Sequence, residues 1–317
     1  MIDVVALGEL LIDFTMLSAD ADGYPTMAAH PGGAPANFLA ALAKYGKKTA
    51  LIGKVGADKF GRLLLGTLEK AGIDTRGLIT AEDVFTTLAF VTLDETGDRE
   101  FSFARKPGAD TCICFEEMDL SLIDEAKVFH FGTLSLTDEP ARGATQKAVA
   151  HAKARGKLIT YDPNLRKPLW KDLTTAKEQM IWGLEQADVV KISDEEVEFL
   201  FGLLPQEGAK HILETYGAKL IFVTCGAEGC FFMNAKACGH VPALSDVKVV
   251  DTTGAGDIFG GSAVYKLLET GKNPEALEEK EMREIVSFAC AAAGMSTQKH
   301  GGISSVPAYD DVIRRMA

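Results

Sequence analysis

Positive charge, cysteine and long apolar runs are all scarce in this sequence. The 33 Lys and Arg residues are outnumbered by 45 Asp and Glu residues, which leaves a net charge of −12. This balance argues against nucleic acid or an anionic membrane as a partner, because both require a basic surface. Six cysteines are too few for a disulfide framework in a chain of 317 residues. With no apolar run long enough to span a bilayer, we expect a protein of the reducing cytoplasm.

Two short sequence signals are also missing near the N-terminus. The first predicted strand lies within VVALGEL, residues 4–10, and the Gly-x-Gly-x-x-Gly turn that follows the first strand of a nicotinamide-binding domain is absent there. We therefore expect no nicotinamide dehydrogenase. The stretch around Asp3 has neither a basic region nor a small-residue cleavage site, so it predicts a strand rather than a signal peptide.

What the sequence does contain is an alternation of apolar strands with helical patterns. The strands are predicted at residues 4–9, 49–56, 126–132, 157–163, 187–193 and 219–226. The helices are predicted at residues 36–45, 60–71, 139–155, 174–185, 194–201 and 206–216. Nearly continuous apolar strands are typical of a parallel sheet that is buried on both faces. The pattern predicts an α/β fold, a three-layer sandwich with a central, mostly parallel sheet flanked by helices.

Two segments, about residues 13–30 and 85–105, interrupt this alternation with paired strands. The second contains DETGDRE, a turn around Gly97 between TLAFVTL and EFSF, which is a hairpin signal. We expect the two segments to form a small β lid over the carboxyl edge of the main sheet, where open α/β sheets bind ligands. No linker or repeat divides residues 1–317, so a single domain is predicted. The exposed edge of the lid favours pairing with a second copy as a homodimer.

The densest motif is DTTGAGDIFGG, at residues 251–261. The apolar period after Asp257 is helical, so Gly254, Ala255 and Gly256 form the turn at a helix N-terminus. The N–H groups there are unpaired and lie at the positive end of the helix dipole, which makes an anion site without any Lys. The alternative is a capped helix after a tight turn, with Asp257 only complementing the dipole.

A second glycine motif, HPGGAPANFLAALAKYG, occupies residues 30–46. Gly32 and Gly33 precede a helix, where they allow close approach of a ligand or a hinge between lid and body. Asn37 lies in the first turn of that helix and could bind a hydroxyl group. The alternative is a tight turn in which Asn37 acts as a capping residue.

Polar residues also follow two of the predicted strands. In YDPNLRKPLW, a proline turn brings Arg166 to a strand end, where its guanidinium could reach a hydroxyl or phosphate group of a ligand. The alternative is a structural turn with Arg166 at the surface. In VVKISDEEVEFL, Ser193 and Glu196 have the spacing of a capping box. The functional alternative places Lys191 near phosphates and Glu196 on the water ligands of Mg²⁺.

The last strand of the alternation ends in FVTCGAEGCFF, residues 222–232. Thr224 ends the strand, and Gly226 and Gly229 form a turn into another strand. Such a turn suits a nucleotide lying across its backbone, and it equally suits a plain glycine turn.

Taken in order, these motifs resemble the ribokinase-like (PfkB) carbohydrate kinase family. GELLIDF with PGGAPANFLAALAKYG, and then DTTGAGDIFGG, are similar to the two signatures of the family. FHFGTLSL, EPAR, YDPNLRKPLW and KISDEEVEFL resemble the bacterial and plant fructokinases within it, the bacterial ones most of all. The resemblance runs from near residue 2 to KHGGISSVP near residue 307. It implies ATP-dependent phosphorylation of a sugar hydroxymethyl group, with ATP and Mg²⁺ as cofactors.

The resemblance also implies a role for each motif residue. Asp257 would be the catalytic base, and the anion hole around the γ-phosphate would be formed by the N–H groups of Gly254, Ala255 and Gly256. The sugar contacts would be Asp13, Gly32, Gly33, Asn37, Arg105, Arg166 and Asp257. The nucleotide contacts would be Lys191, Thr224, Gly226, Gly229, Gly254 and Gly256, with an apolar adenine pocket at residues 289–293.

Two metal sites are implied as well. The magnesium motif Asn-x-x-Glu of the family appears here as residues 193–196, with Ser193 in place of Asn, so Glu196 would bind Mg²⁺ through water. A K⁺ site would lie near Asp251 and Thr253. Both assignments rest on the resemblance.

The resemblance leaves the sugar open. D-fructose, converted to fructose 6-phosphate, is the substrate that the motifs favour. The alternatives are kinases for 2-keto-3-deoxygluconate, aminoimidazole riboside or ribose. The lid has Phe101 and Phe103 where a 2-keto-3-deoxygluconate kinase usually offers tyrosines. A non-catalytic sugar-binding regulator on the same fold is disfavoured, because it would not need an intact Asp257.

Overall fold

A computed structural model describes residues 1–93 and 99–316 of the chain. The predicted hairpin turn at Gly97 lies outside these residues. The strands are β1 (Val4–Leu7), β2 (Leu11–Ala19), β3 (Pro25–Gly32), β4 (Thr49–Gly56), β5 (Ile73–Asp74), β6 (Leu78–Ala81), β7 (Leu88–Leu93), β8 (Arg99–Ala104), β9 (Val128–Gly132), β10 (Leu158–Asp162), β11 (Val189–Ser193), β12 (Leu220–Thr224), β13 (Cys230–Asn234) and β14 (Cys238–Val241).

Helices lie between β3 and β5, between β8 and β12, and after β14. The helices are α1 (Ala34–Lys44), α2 (Lys59–Lys70), α3 (Ser121–Glu125), α4 (Ala141–Ala154), α5 (Leu173–Gln186), α6 (Asp194–Phe201), α7 (Pro205–Tyr216), α8 (Ala255–Thr270), α9 (Glu279–Ser296) and α10 (Tyr309–Met316). No helix in the described part of the chain is long and apolar enough to cross a membrane.

The larger sheet has the strand order β14-β13-β12-β11-β10-β9-β1-β4-β5, with β6 paired to β4. The pairs from β12 through β9 and β1 to β4 are parallel, and the pairs β12–β13 and β13–β14 are antiparallel. The prediction of a central, mostly parallel sheet flanked by helices is therefore confirmed. The parallel order brings the carboxyl ends of these strands to one edge, where loops with polar residues begin.

Helices cover both faces of this sheet because successive strand residues point in opposite directions. In β1, Val4 and Ala6 pack with Phe38 of α1 on one face. Val5 and Leu7 pack with residues of α3, α4 and α5 on the other. Each large apolar side chain buried in this way contributes about 1.5–3 kcal/mol, which explains the apolar strand runs in the sequence.

A smaller sheet has the order β3-β2-β7-β8 and corresponds to the two segments predicted as a lid. Its central pair, β2–β7, is parallel, and the outer pairs are antiparallel. The chain enters it directly after the carboxyl end of β1. Phe14 of β2 stacks on Phe90 of β7 at 5.3 Å and meets Phe60 of α2 edge-on at 5.6 Å, so that this sheet is packed against the body of the molecule.

Several elements were not predicted from the sequence. The helix α9 is the clearest case: it is 18 residues long and is opened by a capping box between Glu278 and Glu281. The strands β5 and β6 and the edge strand β14 were also missed. In contrast, the predicted bounds of β4 and α6 agree with the structure, and the other predicted elements differ by one to a few residues at one or both ends.

Candidate active site

The DTTGAGD segment forms the N-terminus of α8, as predicted. Gly254 is the N-cap and has a left-handed φ of 77°, a conformation that favours glycine. A Cβ there would lie 2.8 Å from Cα of Gly302. The first helical bond runs from the N–H of Ile258 to the carbonyl of Gly254, so the N–H groups of Gly256 and Asp257 precede the helical ladder. The N–H of Ala255 donates to the carbonyl of Thr252 and is thus already used in the turn.

Asp257 lies in the first turn of α8 and faces Asn37 of α1. The Asn37 side chain donates from Nδ2 to Oδ2 of Asp257 at 2.9 Å. Burial raises the pKa of Asp257, while the Asn37 hydrogen bond and the charges of Lys191 and Arg166 oppose that rise. A half-buried carboxylate with one oxygen oriented in this way can accept a proton from a bound hydroxyl group.

Lys191 lies beneath the same turn, in an ion pair with Asp162. Its Nζ donates to Oδ2 and Oδ1 of Asp162 at 3.0 and 3.3 Å. Burial alone would lower the pKa of Lys191, but the charges of Asp162 and Glu196 outweigh it and the pKa is raised. The side chain therefore stays cationic. A Cβ on Gly256 would come within 2.9 Å of Nζ, so the absence of a side chain there leaves room for the ammonium group.

The glycine pair before α1 is packed against acidic residues. A Cβ on Gly32 would lie 2.1 Å from Oδ2 of Asp13. Gly33 has a φ of 118°, and a Cβ there would lie 2.4 Å from the carbonyl oxygen of Glu9. Burial raises the pKa of Asp13 to about 7, against the charge of Arg166. A side chain at Gly32 would displace the carboxylate of Asp13, and one at Gly33 would collide with the backbone of Glu9 just before α1, the helix that carries Asn37.

The charges of Asp257 and Arg166 both affect the pKa of Asp13, so these three side chains lie in one region. The charge of Arg166 favours the ionised form of both Asp13 and Asp257. Arg166 itself contacts the carbonyl of Leu165 at 3.3 Å. Residues predicted from three separate motifs therefore lie together at one edge of the sheet.

Arg105 is placed differently from the sequence-based expectation. Its guanidinium is buried and donates to Asp110, Thr137 and the carbonyl of Leu134 at 2.7–2.8 Å. Asp110 in turn accepts from Thr87 at 2.5 Å. These contacts join the end of β8 to the loop after β9, instead of directing Arg105 towards a sugar. A role in binding the substrate stays a prediction for this residue.

Glu196 forms the predicted capping box with Ser193 at the start of α6. Its Oε1 accepts from the N–H of Leu165 at 2.7 Å, and its Oε2 accepts from the N–H of Ser193 at 2.9 Å. Each carboxylate oxygen has a second acceptor position. The carboxylate is therefore held rigidly and can still bind the water ligands of a Mg²⁺ ion, which suits an ion that keeps much of its hydration.

Asp251 is buried and ties two loops together. Its Oδ1 accepts from the N–H of Thr253 at 2.9 Å, and its Oδ2 accepts from the N–H of Gly301 at 3.0 Å. Hard cations prefer carboxylate and carbonyl oxygens of this kind. Over the described ranges, residues 1–93 and 99–316, no group of three or more His, Cys, Asp and Glu side chains is close enough to hold a metal ion.

The predicted nucleotide turn follows β12. Thr224 ends the strand, and Gly226 and Gly229 take φ values of 52° and 103° in the turn before β13. A Cβ on Gly229 would lie 2.1 Å from the carbonyl oxygen of Val241. The turn is therefore in direct contact with the segment that leads from β14 to the DTTGAGD motif.

The segment that leads from β14 to the DTTGAGD motif borders a cavity of about 580 Å³ beside α9. Ser287, Cys290 and Ala291 of α9 line it, together with residues 241–245. The predicted adenine pocket at residues 289–293 overlaps this lining, although Ala289 itself is fully buried. The overlap supports a base-binding cavity beside the glycine turn.

Sequence reasoning did not assign a role to two acidic residues of the site. Asp162 holds Lys191, and burial raises its own pKa to about 7 despite that cation. Glu9 accepts from the N–H of Ala34 at 2.8 Å and so holds the first residue of α1. Each comes at the end of a predicted apolar strand, and that position is the signal by which the sequence could have identified it as a site residue.

The fold and this site define a phosphotransferase architecture, in which a helix N-terminus, a lysine and a carboxylate meet at the carboxyl edge of a parallel sheet. Over residues 1–309 the chain matches the pfkB family of carbohydrate kinases, and it belongs to that family. It is 41% identical over 316 residues to fructokinase-2 of Solanum lycopersicum, an alignment that covers 98% of this chain and 94% of that protein.

Solved structures of similar fold carry relevant ligands. A fructokinase from Xylella fastidiosa with bound ATP superposes with a TM-score of 0.90, at 29% identity and with 99% of this chain and 98% of the other covered. A candidate ribokinase II from E. coli, in complex with ATP and Mg²⁺, has a TM-score of 0.88 at 27% identity, covering 100% and 99%. A double-mutant fructokinase from Vibrio cholerae O395, bound to fructose, ADP and potassium, has a TM-score of 0.86 at 29% identity, covering 100% and 99%.

Proposed function

We propose that this protein transfers the γ-phosphoryl group of ATP to the hydroxymethyl group of D-fructose and so forms fructose 6-phosphate. The observation that carries the proposal is the carboxylate of Asp257, oriented by Asn37 at 2.9 Å beside the free N–H groups of a helix N-terminus. Support comes from the relative named fructokinase-2 and from the Vibrio cholerae structure with fructose and ADP.

In the proposed reaction, Asp257 accepts the proton of the attacking hydroxyl group. The sugar oxygen forms a bond to the γ-phosphorus as the bond to the leaving oxygen of ADP breaks. Phosphoryl transfer depends mainly on positioning and on charge stabilisation, and one correctly placed base suits that need.

The negative charge that develops during transfer would be met by the start of α8 and by Lys191. The N–H groups of Gly254 and Gly256, with the helix dipole, form the proposed anion hole. Ala255 would contribute through the turn that it stabilises. A bound Mg²⁺ ion neutralises phosphate charge, and Glu196 would hold it through water.

Residues at the start of α1 and β2 would bind the sugar. We assign this role to Asp13, Gly32, Gly33, Asn37 and Arg166, with Arg105 as a further candidate. The small sheet, with lid segments at about residues 13–30 and 85–105 of one domain spanning residues 1–317, would close over the sugar. Closure would exclude water, which otherwise competes as the phosphoryl acceptor.

The nucleotide would lie along the turn after β12. We assign its contacts to Lys191, Thr224, Gly226 and Gly229, with the adenine ring in the 580 Å³ cavity beside α9. A K⁺ ion would bind near Asp251 and Thr253 and support the loop before the anion hole. Support for this ion comes from the buried carboxylate of Asp251 and from potassium in the Vibrio cholerae structure.

The substrate is tested by measuring ADP release with fructose, ribose, adenosine, aminoimidazole riboside and 2-keto-3-deoxygluconate. We expect the highest kcat/KM with fructose. An equal or higher value with another sugar would replace fructose as the substrate, and the absence of sugar-dependent ADP release would refute the kinase assignment. Repeating the assay without Mg²⁺, and with K⁺ exchanged for Na⁺, tests the two cation assignments.

The exposed small sheet supports a homodimer. Leu17 of β2 is 60% exposed and Tyr24, just before β3, is 68% exposed, so apolar surface is available on this sheet for a second copy. We expect a dimer by sedimentation at micromolar concentration and a shift towards monomer in a Leu17→Lys, Tyr24→Lys variant. A monomeric wild-type protein would contradict this assignment.

We also propose that the protein acts in the cytoplasm. Support comes from its six cysteines, which all lie within the described residues and form no disulfide there. Fractionation of cells that express the native chain would test the compartment, with recovery outside the cytoplasmic fraction as the contrary result.

A further inference from the structure

The segment of residues 241–245 forms one wall of the 580 Å³ cavity beside α9, and an arginine holds it at each end. Arg283 of α9 donates from Nη1 to the carbonyl oxygen of His240 at 2.8 Å. Arg315 of α10 donates from Nη2 to the carbonyl oxygen of Ser245 at 2.9 Å. Hydrogen bonds from a charged guanidinium are stronger than those between neutral groups. Side chains of two different helices therefore fix the two ends of this wall.

The middle of the wall is packed closely, whereas its end at Ser245 is not. A Cβ on Gly229, in the turn after β12, would lie 2.6 Å from the backbone N of Ala243. A Cβ on Gly294 of α9 would lie 2.9 Å from Cβ of Leu244. Ser245 is exposed, and within the described residues the only hydrogen bond to its carbonyl comes from Arg315. The position of this end therefore depends on Arg315.

The chain turns sharply at the next residue. Asp246 has a φ of 57°, in the left-handed region that a residue with a side chain rarely adopts. A conformation of this kind persists only where the surrounding structure holds it. The hydrogen bond from Arg315 to Ser245 lies directly beside the turn and is a contact that can do so.

The helix that carries Arg315 is itself firmly attached to the body. Val312 is fully buried, and the ring of Tyr309 lies 5.4 Å from the ring of Phe288 of α9. At the other end of α10, Arg315 and Met316 line the cavity. The match to the pfkB family ends at residue 309, so it does not include these two lining residues.

We propose that the end of α10 is part of the nucleotide site, and that Arg315 is the positioning residue that holds residues 241–245 against the adenine ring. The inference rests on the proposed function in assigning the adenine ring to this cavity. With the bond to Ser245 in place, the wall is formed before the nucleotide arrives. Without it, the wall has to be ordered on binding, which lowers the affinity for the nucleotide.

The charge of the cavity rim offers a competing explanation. Among the described residues that line the cavity, Lys280, Arg283 and Arg315 are basic and Glu284 is acidic. Three cations could attract the phosphates of a nucleotide from a distance. An attraction of that kind depends on the charge of Arg315 and not on its bond to Ser245.

A comparison of Arg315→Ala with Arg314→Ala separates the two explanations. Arg314 is exposed on the same helix, pairs with Asp311 and does not line the cavity, so that each variant removes one positive charge from the same turn. We expect Arg315→Ala to raise the calorimetric Kd for ATP with Mg²⁺ by about fivefold, a factor in the range of one net hydrogen bond. Arg314→Ala should leave it nearly unchanged. Equal weakening in the two variants would mean that charge alone acts, and would overturn the proposal.

The conservative variant and the sugar kinetics give a second check. Arg315→Lys keeps a donor for the carbonyl of Ser245 and should restore most of the affinity for ATP. With ATP at saturation, kcat and KM for fructose should be the same in Arg315→Ala and the wild-type protein. A KM for fructose that rises as much as the Kd for ATP would show a general structural effect, and the positioning role would be wrong.

Amide hydrogen exchange of the nucleotide-free protein tests the wall without any ligand. The amides of residues 243–246 should exchange faster in Arg315→Ala than in the wild-type protein, and at the wild-type rate in Arg314→Ala. Unchanged exchange in Arg315→Ala would refute the proposal even if ATP binding were weakened. A wild-type protein that binds ATP but phosphorylates no sugar would refute the proposed function and leave the exchange and Kd results intact.

Discussion

Nδ2 of Asn37 donates a 2.9 Å hydrogen bond to Oδ2 of Asp257, which lies 220 residues further along the chain. The contact joins the first turn of α1 to the first turn of α8. The fit is close, because a Cβ on Gly254 would lie 3.1 Å from Nδ2 and one on Gly302 would lie 2.1 Å from Oδ1 of Asn37. Two helix N-termini therefore meet at the carboxylate that we assign as the base.

Asp257→Asn should remove the base while preserving the shape of the site. We expect kcat to fall by roughly 100- to 10,000-fold, the usual contribution of a general base, with little change in the Kd for ATP. Steady-state assays and calorimetric titration with ATP measure the two quantities. Asp310→Asn, at an exposed position of α10, is the matched control and should keep full activity. Undiminished kcat in Asp257→Asn would exclude this residue as the base.

Asn37→Ala should move the pH dependence of the reaction. The hydrogen bond from Asn37 favours the ionised form of Asp257, so its loss raises the pKa of Asp257 above its already raised value. A base acts only when it is deprotonated, and activity is lost as pH falls through its pKa. The acid limb of the kcat/KM profile should therefore shift to higher pH. Asn273→Ala, at an exposed position, should leave the profile unchanged; an unshifted limb in Asn37→Ala would separate Asn37 from the base.

Gly254→Ala should abolish activity for a reason other than backbone strain. Gly254 and Gly271 cap the two ends of α8 with left-handed φ values of 77° and 64°. Either substitution should cost about 1–2 kcal/mol in unfolding free energy, because a side chain disfavours that conformation. Only Gly254 lies against Gly302 and Asn37, whereas a Cβ on Gly271 would meet nothing within 4 Å. In chemical denaturation Gly254→Ala should therefore lose more stability than Gly271→Ala, and in activity assays it alone should lose its rate; similar rates in the two variants would contradict the anion hole.

Glu9→Gln should flatten the dependence of stability on pH. Burial raises the pKa of Glu9 from 4.5 to about 7 in the folded protein, so the folded state binds the proton more tightly than the unfolded state. The resulting stabilisation is complete below pH 4.5 and is lost as pH rises through about 7. Its upper bound is about 3 kcal/mol.

Glutamine keeps the acceptor for the N–H of Ala34 and has no proton to lose. The unfolding free energy of the wild-type protein, measured by urea denaturation, should therefore lose this contribution between pH 5 and pH 8. That of Glu9→Gln should not, so the difference in stability between variant and wild-type protein should shift in favour of the variant at pH 8. Glu198→Gln, at an exposed position of α6, should show no such change. A parallel pH dependence in Glu9→Gln and the wild-type protein would show that Glu9 does not titrate in this range.

Elements with strong local signals were predicted from the sequence. The bounds of β4 and α6 agree with the structure because an apolar strand and a Ser193–Glu196 capping box each depend on neighbouring residues. The strand β5 has only two residues and takes its pairing entirely from β4. The edge strand β14 is largely exposed, so it lacks the apolar run that identified the inner strands.

The sequence by itself determined the parallel α/β fold, the glycine turn at Gly254 and the presence of Asp257 in the first turn of a helix. Each of these follows from local periodicity and from the freedom of glycine at positive φ. Only the tertiary structure decided that Asn37 orients Asp257, that Lys191 pairs with Asp162 and that Arg105 is held by Asp110. Partners of this kind come from elements far apart in the chain, and which side chains meet depends on strand register and helix packing rather than on nearby sequence.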